Sequence, residues 1–201
     1  MARGELGEGG GEKVAAEREA AAPAEDPRLQ GIFSSIRVIP HFPKHGIMFN
    51  DVTTLMLRPQ VFKDTVDILA ERYGGMAISA VAGIEARGLI FGSSVALALG
   101  AKFVPLRKPN KLPGKVISEV YTLEYGHDCL EMHVDAVQAG ERILIIDDFI
   151  ATGGTISAAI RLLDRVGANV IECACVVGLP KYKGHFKLNG KPIYILVECR
   201  N

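Results

Sequence analysis

Tryptophan is absent from this sequence, and aromatic residues of any kind are few. Proteins that bind single-stranded nucleic acid stack bases on aromatic side chains, and this composition provides no such platform. The sequence also lacks an excess of charge of either sign, because 23 basic residues balance 23 acidic ones. General nucleic-acid and membrane-surface binders carry an excess of Lys and Arg. Nucleic acids and membranes are therefore not expected partners.

Long apolar runs are lacking as well, and no stretch is long enough to span a bilayer. The first residues contain no apolar segment of the kind that a signal peptide needs. They also carry many acidic residues, whereas organelle transit peptides are poor in acids. The expected location is the cytoplasm.

Cysteine is scarce, and the four cysteines form no Cys-x-x-Cys pair. Their spacing fits neither a zinc site nor a disulfide framework. Cys173 and Cys175 alternate within an apolar run, which is typical of small core residues on a strand. A reducing compartment is the expectation that follows.

Large apolar residues are nearly missing from residues 1–27, which are rich in Gly, Ala and Glu. Such a segment buries too little apolar surface to offset its loss of conformational entropy. We therefore predict a disordered acidic tail over residues 1–27 and a single domain over residues 28–201. That length is enough for one well-buried core.

The remaining chain alternates apolar strands with helices. The patterns predict a short helix over 29–36, an irregular hood segment over 39–50, and a helix that begins at Pro59 and ends at Gly74. Strands are predicted over 76–82, 101–106, 142–146, 169–177 and 193–197, with helices over 89–99 and 155–166. This alternation predicts an α/β fold with an open, mainly parallel twisted sheet flanked by helices. An antiparallel pair, 116–123 and 129–134 with a turn at Gly126, is expected beside it.

The clearest chemical signal is a buried strand that is followed by Asp147 and Asp148 and then by a turn of small residues. Ligands of open α/β sheets bind at the carboxyl ends of strands. The backbone N–H groups of the turn and the N-terminus of the next helix attract a phosphate, while carboxylates accept hydrogen bonds from sugar hydroxyls. The pattern therefore indicates a phosphorylated sugar. The Walker motif Gly-x-x-x-x-Gly-Lys-Ser/Thr and the dinucleotide motif Gly-x-Gly-x-x-Gly are both absent.

The segment Ile145–Thr155 resembles the signature of the type I phosphoribosyltransferases, which bind 5-phosphoribosyl 1-pyrophosphate (PRPP). The resemblance implies that Asp147 and Asp148 contact the ribose hydroxyls. It also implies a binding loop for the 5-phosphate, formed by Ala151, Thr152, Gly153, Gly154 and Thr155.

A second segment, residues 82–88, has glycines on both sides of a turn and one Arg, an arrangement that presents N–H groups and a cation to an anion. It resembles the pyrophosphate loop of the same family. The resemblance implies a non-proline cis peptide at Glu85–Ala86. The implied loop residues are Gly83, Glu85, Ala86, Arg87 and Gly88, with Arg87 contacting pyrophosphate.

A third segment is basic and contains Pro and Gly, which predicts a mobile loop over 108–115. Its Lys-Leu-Pro-Gly sequence and the later Leu-Glu-Tyr-Gly resemble the adenine phosphoribosyltransferase family. The resemblance implies a catalytic lid over about 107–120 that includes Arg107, and Glu124 as the residue exchanging a proton with the purine, with Tyr125 nearby. Cations that close over pyrophosphate stabilise its growing charge, which makes Lys108 and Lys111 further catalytic candidates.

Residues 42–51 resemble the hood that covers adenine in that family, within a hood region over 28–55. The implied adenine-binding residues are Ile47, Met48, Phe49 and Asn50, and Asn50 departs from the Arg that is common there. A flat base requires apolar faces and a few fixed hydrogen bonds. His41 and His45 lack neighbouring ligands and are interpreted as incidental.

The resemblance implies transfer of the phosphoribosyl group of PRPP to adenine by a homodimeric enzyme. Mg²⁺ is expected to be held through substrate oxygens without dedicated protein ligands. Two alternatives stay open at the level of sequence. One is a phosphoribosyltransferase for another purine base, and the other is a non-catalytic regulator that senses PRPP.

Overall fold

A computed structural model describes residues 26–123, 126–179 and 187–198. The tail predicted over residues 1–27 lies outside the described residues except for its last two. In chain order the elements are α1 (Pro27–Ser35), β1 (Arg37–Pro40), β2 (Met48–Asp51), α2 (Thr53–Met56), α3 (Pro59–Tyr73), β3 (Ala80–Ile84), α4 (Arg87–Leu99), β4 (Lys102–Leu106), β5 (Val116–Leu123), β6 (Gly126–His133), β7 (Arg142–Ile150), α5 (Gly154–Asp164), β8 (Asn169–Gly178), β9 (Lys187–Leu188) and β10 (Lys191–Glu198).

The main sheet has the strand order β4-β3-β7-β8-β10-β9. Its first five strands are parallel to one another, and the short β9 pairs antiparallel with β10 at the edge. The predicted α/β fold with a mainly parallel sheet is confirmed. Parallel strands that are covered on both faces are apolar throughout, which explains why they were visible in the sequence as continuous apolar runs.

Side chains alternate between two cores on opposite faces of this sheet. Ile143 and Ile145 pack with α5 and the β5–β6 hairpin, whereas Leu144 and Ile146 pack with α1 to α4. Cys173 and Cys175 are both fully buried on the α5 face, which confirms their interpretation as core residues. The strand β7 is central to both cores, and it leads directly to the acidic pair.

The helix ends follow the local rules used for their prediction. Pro59 occupies the first turn of α3, and the N–H of Gly74 closes its C-terminus on the carbonyl of Ala70. α1 begins at Pro27, and the Asp26 side chain accepts a hydrogen bond from the Arg28 N–H as its N-cap. α1 therefore begins at the residue where the predicted tail ends, and the described residues begin at Asp26.

Two strand predictions need correction. β3 begins at Ala80 rather than at residue 76, because the chain after α3 turns through Ala77 at a φ of +50° before entering the sheet. β7 continues to Ile150 instead of ending at Ile146. Asp147 and Phe149 stay paired with Cys175 and Val177 of β8, so pairing with the neighbour sets the length of this strand.

The prediction of an irregular hood over 39–50 was wrong at both ends, although residues 41–47 contain no regular element. β1 and β2 form an antiparallel hairpin that pairs Arg37 with Asp51 and Pro40 with Met48. Pro40 is the last residue of its strand, and Pro43 lies in the connection after a cis peptide bond, so neither proline removes a hydrogen bond from a strand interior. An ion pair of 2.7 Å between Arg37 and Asp51 joins the strands.

The predicted antiparallel pair is confirmed as the β5–β6 hairpin, although β6 begins at Gly126 rather than at Cys129. Residues 108–115, predicted as a loop, contain no regular element. Glu124 and Tyr125 lie outside the described residues. Among the residues that the structure describes, no helix has the length and apolar character required to cross a membrane.

Candidate active site

The turn between β7 and α5 is open. A cavity of about 240 Å³ lies against it, lined by Asp147, Phe149, Ile150, Ala151, Thr152, Gly153, Gly154, Thr155 and Ile156. Gly153 adopts a φ of +82°, which an L side chain rarely adopts, and α5 begins at the next residue. Ala151 and Thr152 line this cavity and are exposed. The predicted phosphate loop thus surrounds free space at a helix N-terminus.

The two acidic residues beside this turn are buried. Asp147 and Asp148 are 7% and 5% exposed, and the Asp148 N–H donates to Asp147 Oδ1 over 2.9 Å. Burial, followed by repulsion from Asp148, raises the pKa of Asp147 well above its ordinary value. The oxygens of such a carboxyl pair can accept hydrogen bonds from the hydroxyl groups of a polyol that enters the cavity.

Arg87 connects the second sequence motif to the acidic pair. Its Nε donates to Asp148 Oδ2 over 2.9 Å, although the two residues are 61 positions apart in the sequence. The pairing holds the guanidinium next to the carboxylates while leaving the Arg87 side chain 38% exposed. The structure therefore brings together the residues predicted for ribose and for pyrophosphate.

Glycines allow the pyrophosphate loop to approach β7 closely. A Cβ added to Gly88 meets Ile146 O at 2.7 Å and Asp147 Cα at 3.2 Å, and one added to Gly83 meets Gly88 O at 2.5 Å. Both contacts are with backbone atoms, which cannot move aside as a flexible side chain does. Only glycine fits at these two positions, and the close packing sets the distance between Arg87 and the acidic pair.

Glu85 precedes a cis peptide bond to Ala86, as the resemblance implies. Its carboxylate accepts hydrogen bonds from Arg107 Nε and from the Lys108 backbone N–H, each over 2.8 Å. The hydrogen bond from Arg107 holds the pKa of Glu85 below its usual value despite partial burial. Glu85 thus attaches the beginning of the predicted lid to the pyrophosphate loop.

Lys108 contacts two residues that the sequence interpretation missed. Its Nζ donates to the Tyr121 hydroxyl over 2.9 Å and to Asp128 Oδ2. These two residues pair directly across the β5–β6 hairpin. A hairpin predicted with this register would have placed Tyr121 and Asp128 side by side. Lys111 is exposed, and its charge contributes to the lowered pKa of Glu85.

The hood presents apolar side chains to solvent. Ile47 and Met48 are each 44% exposed, and Phe49 packs edge-on against Phe42 with ring centroids 5.0 Å apart. Asn50 differs from these, because it is buried and its Nδ2 donates to Met48 O over 3.4 Å. It lines a narrow crevice with Phe33, Ile36, Val38 and Glu198.

The two hood histidines stack on each other, with ring centroids 4.3 Å apart, and His41 Nδ1 accepts a hydrogen bond from the Gly46 N–H. This hydrogen bond joins the two ends of the connection between β1 and β2. Among the described residues there is no group of three or more His, Cys, Asp or Glu side chains arranged to hold a metal ion.

Comparison with known sequences agrees with this geometry. A model of the phosphoribosyl transferase domain matches residues 53–191. The chain is 69% identical over 173 residues to adenine phosphoribosyltransferase 2 of Arabidopsis thaliana, covering 86% of this chain and 90% of that protein. It is 51% identical to the adenine phosphoribosyltransferase of Haemophilus influenzae, covering 85% and 96%.

Solved structures show the same fold. The adenine phosphoribosyltransferase of Thermoanaerobacter pseudethanolicus superposes with a TM-score of 0.80 at 42% identity, over 85% of this chain and 99% of that one. The Saccharomyces cerevisiae enzyme, solved with adenine and an imino-altritol bisphosphate, gives 0.78 at 38% identity, over 85% and 98%. The domain match, these identities and the shared fold agree, and the chain belongs to the adenine phosphoribosyltransferase family of type I phosphoribosyltransferases.

Proposed function

We propose that this protein transfers the 5-phosphoribosyl group of PRPP to adenine, giving AMP and pyrophosphate. The observation that carries the proposal is the open turn at residues 151–155 beside the buried Asp147 and Asp148. A phosphate and a ribose are the two groups that such a pair of neighbouring sites accommodates. Relatives at high identity are named for adenine as substrate.

In this proposal the 5-phosphate accepts hydrogen bonds from the N–H groups of the turn and from the hydroxyls of Thr152 and Thr155. The positive end of the α5 dipole points toward the same anion. Asp147 and Asp148 accept hydrogen bonds from the ribose hydroxyls. Fixing the phosphate and the hydroxyls together orients the C1 atom for attack. The free energy of binding thereby lowers the entropic part of the activation barrier.

The departing pyrophosphate collects negative charge as the C1–O bond breaks and the sugar gains oxocarbenium character. Arg87 is held beside the acidic pair by Asp148, so its guanidinium lies next to the proposed ribose site. Arg107 and Lys108 come directly after β4, and both donate hydrogen bonds to Glu85 of the proposed pyrophosphate loop. Together with Lys111, these cations stabilise the charge on the leaving group.

Adenine is proposed to bind between the apolar side chains of the hood, Ile47, Met48 and Phe49, with Asn50 behind them. Glu124 exchanges a proton with the purine ring as N9 attacks C1. Tyr125 adjoins it in the lid. This assignment of Glu124 and Tyr125 is carried by the Leu-Glu-Tyr-Gly sequence and by the position of Thr122, whose carbonyl lies 3.7 Å from a Cβ built on Gly154 of the phosphate turn.

Mg²⁺ is proposed to enter with PRPP. It would be held through oxygens of pyrophosphate and ribose without dedicated protein ligands, since this cation prefers oxygen ligands and usually binds through substrate phosphates. When bound, Mg²⁺ neutralises part of the charge on pyrophosphate. Arg87 and Lys108 stabilise the remainder.

A homodimer and a cytoplasmic location are further proposals. Both follow from the sequence and the family resemblance. One relative, adenine phosphoribosyltransferase 1 of Arabidopsis thaliana, is named as chloroplastic, so the location needs its own measurement. Sedimentation of the purified protein and fractionation of cells test these two points.

Formation of AMP from adenine, PRPP and Mg²⁺ tests the function directly. We expect turnover with adenine and much less with hypoxanthine, guanine or xanthine, and AMP is quantified by chromatography. The double substitution Asp147→Asn with Asp148→Asn should abolish PRPP binding while leaving the circular dichroism spectrum unchanged. PRPP binding without any product from any base would instead identify a regulator that senses PRPP.

A further inference from the structure

Three cations of the proposed site are each paired with a carboxylate in this structure. Arg87 pairs with Asp148 and Arg107 pairs with Glu85, and both of these acids belong to motifs already assigned. The third pair joins Lys108 to Asp128, a residue that belongs to neither motif. Asp128 therefore requires a separate explanation.

The contacts around the Lys108 ammonium form a triangle. Its Nζ donates to Asp128 Oδ2 and, over 2.9 Å, to the Tyr121 hydroxyl, while the Tyr121 hydroxyl donates to the same Asp128 oxygen over 3.2 Å. The Tyr121 side chain is 4% exposed and belongs to the α5-side core. The hydroxyl is thus a fixed point, and Lys108 retains one N–H for another acceptor.

The other end of Lys108 is also fixed. Its backbone N–H donates to Glu85 of the pyrophosphate loop, and the backbone of Arg107 pairs with Glu131 of β6 over 2.9 and 2.8 Å. A free lysine side chain loses rotamer entropy when it is ordered. In this protein the ordering takes place on folding, before any ligand binds.

We propose that Asp128 is a positioning residue for the phosphoribosyl transfer, which together with Tyr121 holds the Lys108 ammonium ready for the departing pyrophosphate. The inference rests on the proposed function, because it assigns Lys108 to the leaving group. Preorganised charge stabilises a transition state without reorganisation at the moment of reaction. Asp128 acts through Lys108 and does not itself touch the substrate.

The pair also favours the charged form of Lys108. Partial burial works against the ammonium, but the hydrogen bonds to Asp128 and Tyr121 outweigh burial, and the pKa of Lys108 is raised. Without the carboxylate, the hydrogen bond to Tyr121 is the remaining side-chain contact of this triangle. The ammonium is then held less firmly.

A matched ion pair in the same protein provides the control. Lys102 and Glu141 are 2.7 Å apart with side chains 49% and 20% exposed, compared with 33% and 25% for Lys108 and Asp128. Lys102 begins β4, at the opposite end of that strand from the lid. Ion pairs on a surface contribute little to stability, and this one lies away from the lid, so Glu141→Ala should leave catalysis unchanged.

The test measures kcat, the KM for PRPP at saturating adenine and the KM for adenine at saturating PRPP, with Mg²⁺ present throughout. We expect Asp128→Ala to lower kcat about tenfold, as loss of one charge-assisted contact in a transition state does, with the KM for adenine unchanged. Asp128→Asn keeps a hydrogen-bond acceptor and should recover part of the loss. Tyr121→Phe preserves the core ring and should cause a smaller decrease, so these two variants decide the question if Asp128→Ala folds poorly.

A double-substitution cycle separates positioning from a purely structural role. In a Lys108→Met background, which keeps the apolar stem, Asp128→Ala should cost no further activity. Activity of Asp128→Ala equal to that of Glu141→Ala, or an undiminished loss in the Lys108→Met background, would overturn the inference. Failure of the unsubstituted protein to form AMP overturns the proposed function itself, so the two failures are distinguishable.

Discussion

In the acidic pair at the end of β7, a residue that we propose to bind substrate lowers the stability of the fold. Asp147 is buried next to Asp148, and both burial and repulsion act against its ionised form. The folded protein therefore binds a proton at Asp147 more tightly than the unfolded chain does. The difference in proton affinity does not change the free energy of unfolding below the ordinary carboxyl pKa. As the pH rises toward the raised pKa, it lowers that free energy increasingly.

Replacing Asp147 with Asn should therefore stabilise the fold at neutral pH. We expect a gain in unfolding free energy at pH 8, because burial and Asp148 act against the ionised carboxylate that Asn replaces. Asn retains an oxygen for the Asp148 N–H. The gain should vanish near pH 4, and denaturant unfolding at both pH values measures it. An equal gain at both pH values would contradict the electrostatic cause.

At the level of elements, the approach of α4 to β7 depends on glycine. Gly88 lies in the first turn of α4, where a Cβ meets the backbone of β7 at 2.7 Å. Gly31 is also helical, in α1, but a Cβ there meets nothing within 4 Å. The same substitution at the two sites thus tests close packing in one case and helix propensity in the other.

Gly88→Ala should destabilise the protein by about 1–3 kcal/mol, the usual cost of overpacking, because α4 must move away from the strand. Gly31→Ala should stabilise it by up to about 1 kcal/mol, since Ala is the better helix former. Chemical denaturation of the two variants in parallel provides the measurement. A shift in the same direction for both would show that close packing does not set the position of α4.

For the molecule as a whole, one sheet lies between both cores, and β7 contributes side chains to each of them. The two cores should therefore unfold together in a single transition.

We expect a protein that begins at Asp26 to keep this single unfolding transition and its AMP-forming activity, because Asp26 caps α1 and the described residues begin there. Calorimetry and the AMP assay on the shortened and complete chains test this. A second transition, or activity lost on shortening, would show that residues 1–25 belong to the working enzyme.

Much of the architecture was accessible from the sequence, because strands buried on both faces must be apolar and helix ends follow local capping rules. The hood hairpin was missed because proline usually interrupts a strand. In the structure Pro40 is the last residue of β1, and Pro43 lies in the connection to β2. The far end of β7 was missed for a related reason. Its polar residues remain in the strand only because β8 pairs with them.

The sequence by itself determined the class of fold, the turn that we propose to bind a phosphate and the acids beside it, because these depend on residues adjacent in the chain. Only the tertiary structure decided that Arg87 pairs with Asp148, and that Asp128 and Tyr121 contact Lys108. Those contacts depend on strand order, on the pairing of β6 with Arg107 and on the distance between α4 and β7. Such quantities arise from packing between distant segments, and no local pattern encodes them.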